Sequence, residues 1–86
     1  MKLYVFRIVM KDGKIEFYVQ DEPCTYHLEH ATFYGQPENL ESMKEVCEDI
    51  FNNLSQYERY EDNLDRVEFL KLNITTEISL QYSNQP

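Results

Sequence analysis

Five carboxylates, Glu38, Glu41, Glu45, Glu48 and Asp49, recur at spacings of three and four residues. On a helix those spacings gather them into an arc of roughly 100°. Like charges set side by side in this way repel by about 0.2–0.5 kcal/mol per pair, and only Lys44 lies near enough to offset them. Five charges over about 17 Å of helix is one per roughly 3.4 Å, the spacing of phosphates along one nucleic-acid strand. A surface of this kind can dock on a basic groove, in the limit by imitating phosphates, and electrostatic steering speeds such encounters. The plainer alternative is a solvated acidic face that keeps the chain in solution. Glu58, Glu61, Asp62, Asp65 and Glu68 extend the negative run, and Tyr57-Glu58-Arg59-Tyr60 adds two rings of the type favoured at contact surfaces. The candidate partner-binding residues are therefore Glu38, Glu41, Glu45, Glu48, Asp49, Tyr57, Tyr60, Glu61 and Asp62.

Cys24, His27 and His30 stand in C-x2-H-x2-H spacing, and Cys47 is a candidate fourth ligand. Two thiolates and two imidazoles suit tetrahedral zinc, although this spacing is not a standard zinc pattern. Cys47 also falls on an apolar stripe, where a cysteine behaves as a small hydrophobe. His27 and His30 are the only histidines, and neither a nucleophile motif nor a phosphate-cradling glycine loop accompanies them. The expectation is a protein that is not an enzyme and holds no cofactor or metal, with these four residues as the fallback metal set.

The elements that would position these residues follow from periodicity. Lys2 to Met10 and Ile15 to Gln20 are rich in β-branched and aromatic types, and Lys11-Asp12-Gly13-Lys14 lies between them. A two-residue Asp-Gly turn predicts a hairpin in which Met10 faces Ile15, Ile8 faces Phe17 and Phe6 faces Val19. Tyr4 joins those residues on the inner face, leaving Glu16 on the opposite face near Val9. Residues 21–37, punctuated by Pro23, Gly35 and Pro37, show no sustained period, with a short strand or helical turn expected around His30 to Tyr34. From Glu38 to about Tyr57, Leu40, Met43, Val46, Cys47, Ile50, Phe51 and Leu54 fall in one arc about 140° wide, predicting an amphipathic helix. Gln56 to Asp65 reads as a polar connection. Val67 to Tyr82 reads as one long strand, with a bend or bulge near Asn73 to Glu77 or a tail that extends beyond the sheet, because strands usually run about five or six residues.

The fold class expected is α+β in the order ββαβ: a small, mainly antiparallel sheet with one helix packed on one face. Its 86 residues make one domain, spanning 1–82 and followed by a polar tail, 83–86, expected to be disordered. Sixteen acids against eight bases give a formal net charge of −8. That field opposes direct binding to nucleic acid or to an anionic membrane. It is also localised: residues 1–20 carry a net +2, and residues 38–68 a net −7. The opening residues fit neither a signal peptide nor a membrane span, and two cysteines are too few for a disulfide framework. A cytoplasmic location is the expectation.

The stretches MKLYVFRIVMKDGK, HATFYG, PENLESMKEVCEDI and VEFLKLNITTEISL together resemble, in layout, small orphan accessory proteins of bacteriophages. That resemblance implies a protein that blocks a host defence or host enzyme by stoichiometric binding in the host cytoplasm. The expected partner is a protein with a basic surface. The alternatives are an assembly protein that forms a homodimer or larger homo-oligomer through its sheet, and a small zinc-stabilised domain.

Overall fold

The computed structural model describes residues 3–72 and 78–85. Strands β1 (Tyr4–Met10), β2 (Ile15–Phe17), β3 (Leu64–Leu72) and β4 (Ile78–Ser83) form one antiparallel sheet in the order β2-β1-β3-β4. Among the described residues there is one α-helix, α1 (Ser42–Leu54), which packs against β3 and β4. This is the expected α+β architecture of a sheet with one helix. Among the described residues no helix is long and apolar enough to cross a membrane.

The first hairpin departs from expectation by one residue. Gly13 N–H donates to the Met10 carbonyl at 3.0 Å, and Met10 N–H to the Lys14 carbonyl at 2.9 Å. Gly13 has φ +89°. That pattern is a turn followed by a bulge with glycine in the left-handed region, which gives a loop one residue longer than a two-residue turn. The pairing is accordingly Arg7 with Phe17, Ile8 with Glu16 and Val9 with Ile15. A one-residue slip sends every side chain of a strand to the other face. Glu16, expected outside, therefore lies on the inner face opposite Ile8, while Ile15 and Phe17 leave it.

The inner face of β1 is as its alternation requires. Tyr4, Phe6, Ile8 and Met10 are all buried, in one cluster with Val67, Phe69, Cys47 and Ile50. Phe6 lies 4.9 Å from Phe69 and meets Tyr34 edge-on at 5.5 Å, while Tyr4 stacks on Phe69 at 5.0 Å. The helical stripe behaves as read: Leu40, Met43, Val46, Phe51 and Leu54 pack around the buried Cys47 and Ile50. The helix begins later than Glu38, however, because Asn39 organises the approach. Its Oδ1 accepts from Glu41 N–H at 3.0 Å, and its carbonyl accepts from the Ser42 hydroxyl at 2.7 Å. Asparagine favours such local turns over helix interior. The helix also ends at Leu54, ahead of the expected Tyr57.

The long final strand is two strands. β3 starts at Leu64, ahead of Val67, and β4 returns beside it, pairing Leu70 with Leu80 and Leu72 with Ile78. The order is thus ββαββ. The expected bend at Asn73 to Glu77 lies outside the described residues. Phe69 pairs with Phe6 of β1 on the inner face and is 1% exposed, and a register shift between Phe69 and Leu70 puts Tyr82 opposite it. Ser83 belongs to β4, and Asn84 bonds Val67 in both directions, at 2.8 and 3.2 Å. Residues 83–85 are therefore tied to the sheet and are not a loose tail; Pro86 lies outside the described residues.

Beyond the short β2, Tyr18 and Tyr34 from the following segment continue the pairing along the same side of β1. Tyr18 N–H donates to the Phe6 carbonyl at 3.0 Å, and Tyr4 and Tyr34 exchange two backbone bonds at 2.8 and 3.0 Å. Between them lies a helical turn at Leu28–His30.

Candidate binding cleft and the acidic helix face

Glu16 is 2% exposed on the inner face. A carboxylate so placed requires partners, since burying an isolated charge is prohibitive. The turn after α1 supplies two. The Tyr60 hydroxyl donates to Glu16 Oε1 at 2.8 Å, and the Arg59 guanidinium pairs with Oε2. Tyr60 reaches inward because the chain closes a tight set of turns there: Tyr60 N–H donates to the Tyr57 carbonyl at 2.9 Å and Leu64 N–H to the Tyr60 carbonyl at 3.0 Å. Arg59 also donates to the Tyr26 hydroxyl at 3.0 Å, and lies over the Tyr60 and Tyr26 rings, 5.1 and 5.8 Å from their centroids. Burial, and then the hydrogen bond to Glu16, push the Tyr60 phenol far above its ordinary range.

Beside this group opens a cleft of about 580 Å³. Tyr18, Asp21 and Cys24 from the segment after β2 line one side, and Leu54, Tyr57 and Tyr60 from the end of α1 and its following turn line the other. Asp21 takes φ +61°, a left-handed conformation that aspartate tolerates better than most residues. Burial, followed by the Asp21 carboxylate, raises the Tyr18 pKa. Burial also raises that of the Cys24 thiol, and pushes the Cys47 thiol up to about 12. Both thiols are thus held as neutral SH at neutral pH, the opposite of a reactive thiolate.

A second buried carboxylate holds the sheet's other face. Glu68, 3% exposed, accepts from the Arg7 Nε and Nη2 atoms at 2.7 Å and from Arg66 Nε at 3.2 Å, and Arg66 also pairs with Asp65. Glu68 and Asp65 therefore do not extend the acidic run as a continuous open surface. Tyr60 leaves the set of expected contact residues too, because its ring is in the core at 5% exposure.

The remaining expected contact residues, Glu38, Glu41, Glu45, Glu48, Asp49, Tyr57, Glu61 and Asp62, are all exposed. Glu45, Glu48 and Asp49 sit on α1 with Glu41 at its cap, while Glu38 precedes the helix. The charge spacing derived for five carboxylates on one helix thus applies to the four from Glu41 to Asp49. Among the described residues none of these acids forms an ion pair, whereas all three arginines are paired with Glu16, Glu68 and Asp65.

The four fallback metal residues do not assemble among the described residues. Cys47 is buried under the helix, Cys24 faces the cleft, and the exposed His27 and His30 rings meet edge-on at 5.4 Å beside Glu29. Among the described residues no three of His, Cys, Asp and Glu are grouped to hold a metal. Reading the sequence missed Glu16, Arg59 and the cleft. The only local signal for Glu16 was the loop length, because Lys11-Asp12-Gly13-Lys14 also suits a bulged turn.

No family model, curated protein or solved structure matches this chain.

Proposed function

We propose that this is a non-enzymatic binding protein that docks its acidic helix face, with the flanking turn, on a basic protein surface and inhibits that partner by occupying it. The observation that carries the proposal is the distribution of countercharge. The arginines are drawn to carboxylates in or against the sheet, so Glu41, Glu45, Glu48 and Asp49 present their charge on one exposed face with only Lys44 among them. A fixed run of one sign raises the encounter rate with an opposite surface by about 10–1,000-fold at low salt. Imitation of a phosphate backbone is the narrower form of this reading, and a phage-type inhibitor of a host defence or nucleic-acid-processing protein, acting in the host cytoplasm, is the biological role that suits it.

The test is capture from a host lysate with the wild-type chain and with Glu41→Lys/Glu45→Lys/Glu48→Lys, at about 0.1 M and about 1 M salt, where the screening length falls from about 10 Å to about 3 Å. A protein held by the wild type, released by salt and not held by the variant is the expected result. Equal retention by both chains at both salt concentrations would sink the proposal.

The assembly alternative has one observation in its favour. Ile15 and Leu80 are large, exposed at 41% and 55%, and paired opposite residues of the sheet's second face. They belong to β2 and β4, the two opposite edge strands, so they do not make one continuous patch. A single monomeric species at high micromolar concentration in sedimentation would remove this alternative.

A further inference from the structure

We infer that the cleft between the segment after β2 and the end of α1 receives an arginine side chain of the partner protein, as the anchor of the docking proposed above. The inference rests on that reading and names the partner's contacting residue. Three features of the cleft select the occupant. Its walls are aromatic and aliphatic, with Tyr18, Tyr57 and Leu54 among them, and Tyr57 is 63% exposed. Its exposed acids are Asp21 and Glu22, neither of which forms an ion pair among the described residues. The cation already present, Arg59, is matched by Glu16 and so does not neutralise those two carboxylates. A cleft with apolar walls and two unmatched carboxylates suits a cation on an apolar stem, and disfavours an anion or a nucleic-acid strand.

Arginine fits better than lysine for a geometric reason. A planar guanidinium stacks on tyrosine faces while its fork of donors reaches carboxylates, which a compact ammonium cannot do. The molecule itself contains that mode of contact, in Arg59 held over Tyr60 and Tyr26 while paired with Glu16. At about 580 Å³ the cleft has the size of a small-ligand site, with room for an arginine and part of its flanking chain.

The experiment is titration of the isotope-labelled full chain with the capped peptide Gly-Arg-Gly, followed by amide shifts, with the citrulline and lysine peptides as controls. The expected result is saturable shifts confined to residues 18–24 and 53–60, about 10-fold weaker binding of the uncharged citrulline peptide, and weaker binding of lysine. Asp21→Asn/Glu22→Gln abolishes the effect. Asparagine tolerates the left-handed backbone at position 21, so this variant removes charge without straining the turn. Tyr57→Ala weakens binding while leaving the amide spectrum of the sheet unchanged, as the ring is mostly exposed. Shifts confined to the α1 acidic face, equal binding of citrulline or lysine, or no shift would each overturn the inference. Should the peptide fail while reversal of Glu41, Glu45 and Glu48 still abolishes partner capture, the anchor is wrong and the docking reading stands. Should the peptide bind while that reversal has no effect, the cleft stands and the helix-face reading falls.

Discussion

Glu16 is cut off from water, so its two oxygens depend on Tyr60 and Arg59 for the stabilisation that solvent gives an exposed acid. Removing one partner of such a pair is worse than removing both, because it strands a buried charge. Arg59→Ala is therefore expected to cost about 3 kcal/mol, somewhat less than a wholly buried pair because Arg59 is half exposed. Glu16→Leu with Arg59→Leu should cost less than Arg59→Ala alone, and urea midpoints at constant slope will order the two. The titration of Cys47 gives a second prediction at this scale. Its thiol rises from the ordinary 9.0 to about 12, because burial disfavours the thiolate. A group whose folded pKa is raised contributes stability that is complete below the unfolded value and lost as pH climbs through the folded one. Stability should then decline between pH 9 and about 12, more gently in Cys47→Ala, as read by urea unfolding across that range. The role of Glu16 was not legible beforehand: it looked like an outer-face acid, and its partners lie 43 and 44 residues away. Cys47, by contrast, announced its burial through its place on the stripe.

At the scale of elements, the loop of the first hairpin decides which face of β2 turns inward. Gly13 at φ +89° is the residue that makes the bulged loop affordable in backbone terms, and a Cβ there meets nothing within 4 Å. Gly13→Ala should therefore cost about 1 kcal/mol from backbone strain alone, without a packing penalty, as measured by chemical denaturation. The helix shows the opposite relation between sequence and structure. Its six apolar positions from Met43 to Leu54 were readable because a 3.6-residue period survives whatever the neighbours do. Its start was not, because Asn39 competes for the same backbone groups through its side chain. The last strand was misread for a related reason: alternation is the same in one long strand and in two antiparallel ones, and a register shift between Phe69 and Leu70 changes the parity of Tyr82.

The whole molecule carries a net charge of −8, with its arginines turned to the sheet and acids exposed along one side of the helix. Salt should then act in opposite directions on folding and on binding. Screening relieves repulsion among Glu41, Glu45, Glu48 and Asp49, each neighbouring pair costing about 0.2–0.5 kcal/mol. The melting temperature of the free protein should rise between about 0.1 M and about 1 M sodium chloride, while its association with a basic partner weakens. A melting temperature that falls over that range would mean that the Arg7–Glu68 and Arg59–Glu16 pairs outweigh the exposed repulsions. Composition already placed the excess of negative charge between residues 38 and 68. The cleft could not be seen there, since it exists only where residues 18–24 meet residues 53–60.

By itself, then, the sequence determined what depends on neighbours in the chain: the two-residue period of β1, the apolar stripe of α1, the acidic run beside it, and an α+β class able to bury those faces. Tertiary structure decided what depends on register and on distant partners. One extra loop residue turned Glu16 inward, where only Arg59 and Tyr60, brought from beyond the helix, could satisfy its charge. The same inward turn drew Arg59 into its pair and left Asp21 and Glu22 unmatched at the cleft. Local periodicity survives in any fold that uses the segment, whereas the fate of a buried charge depends on which distant groups the fold brings to it.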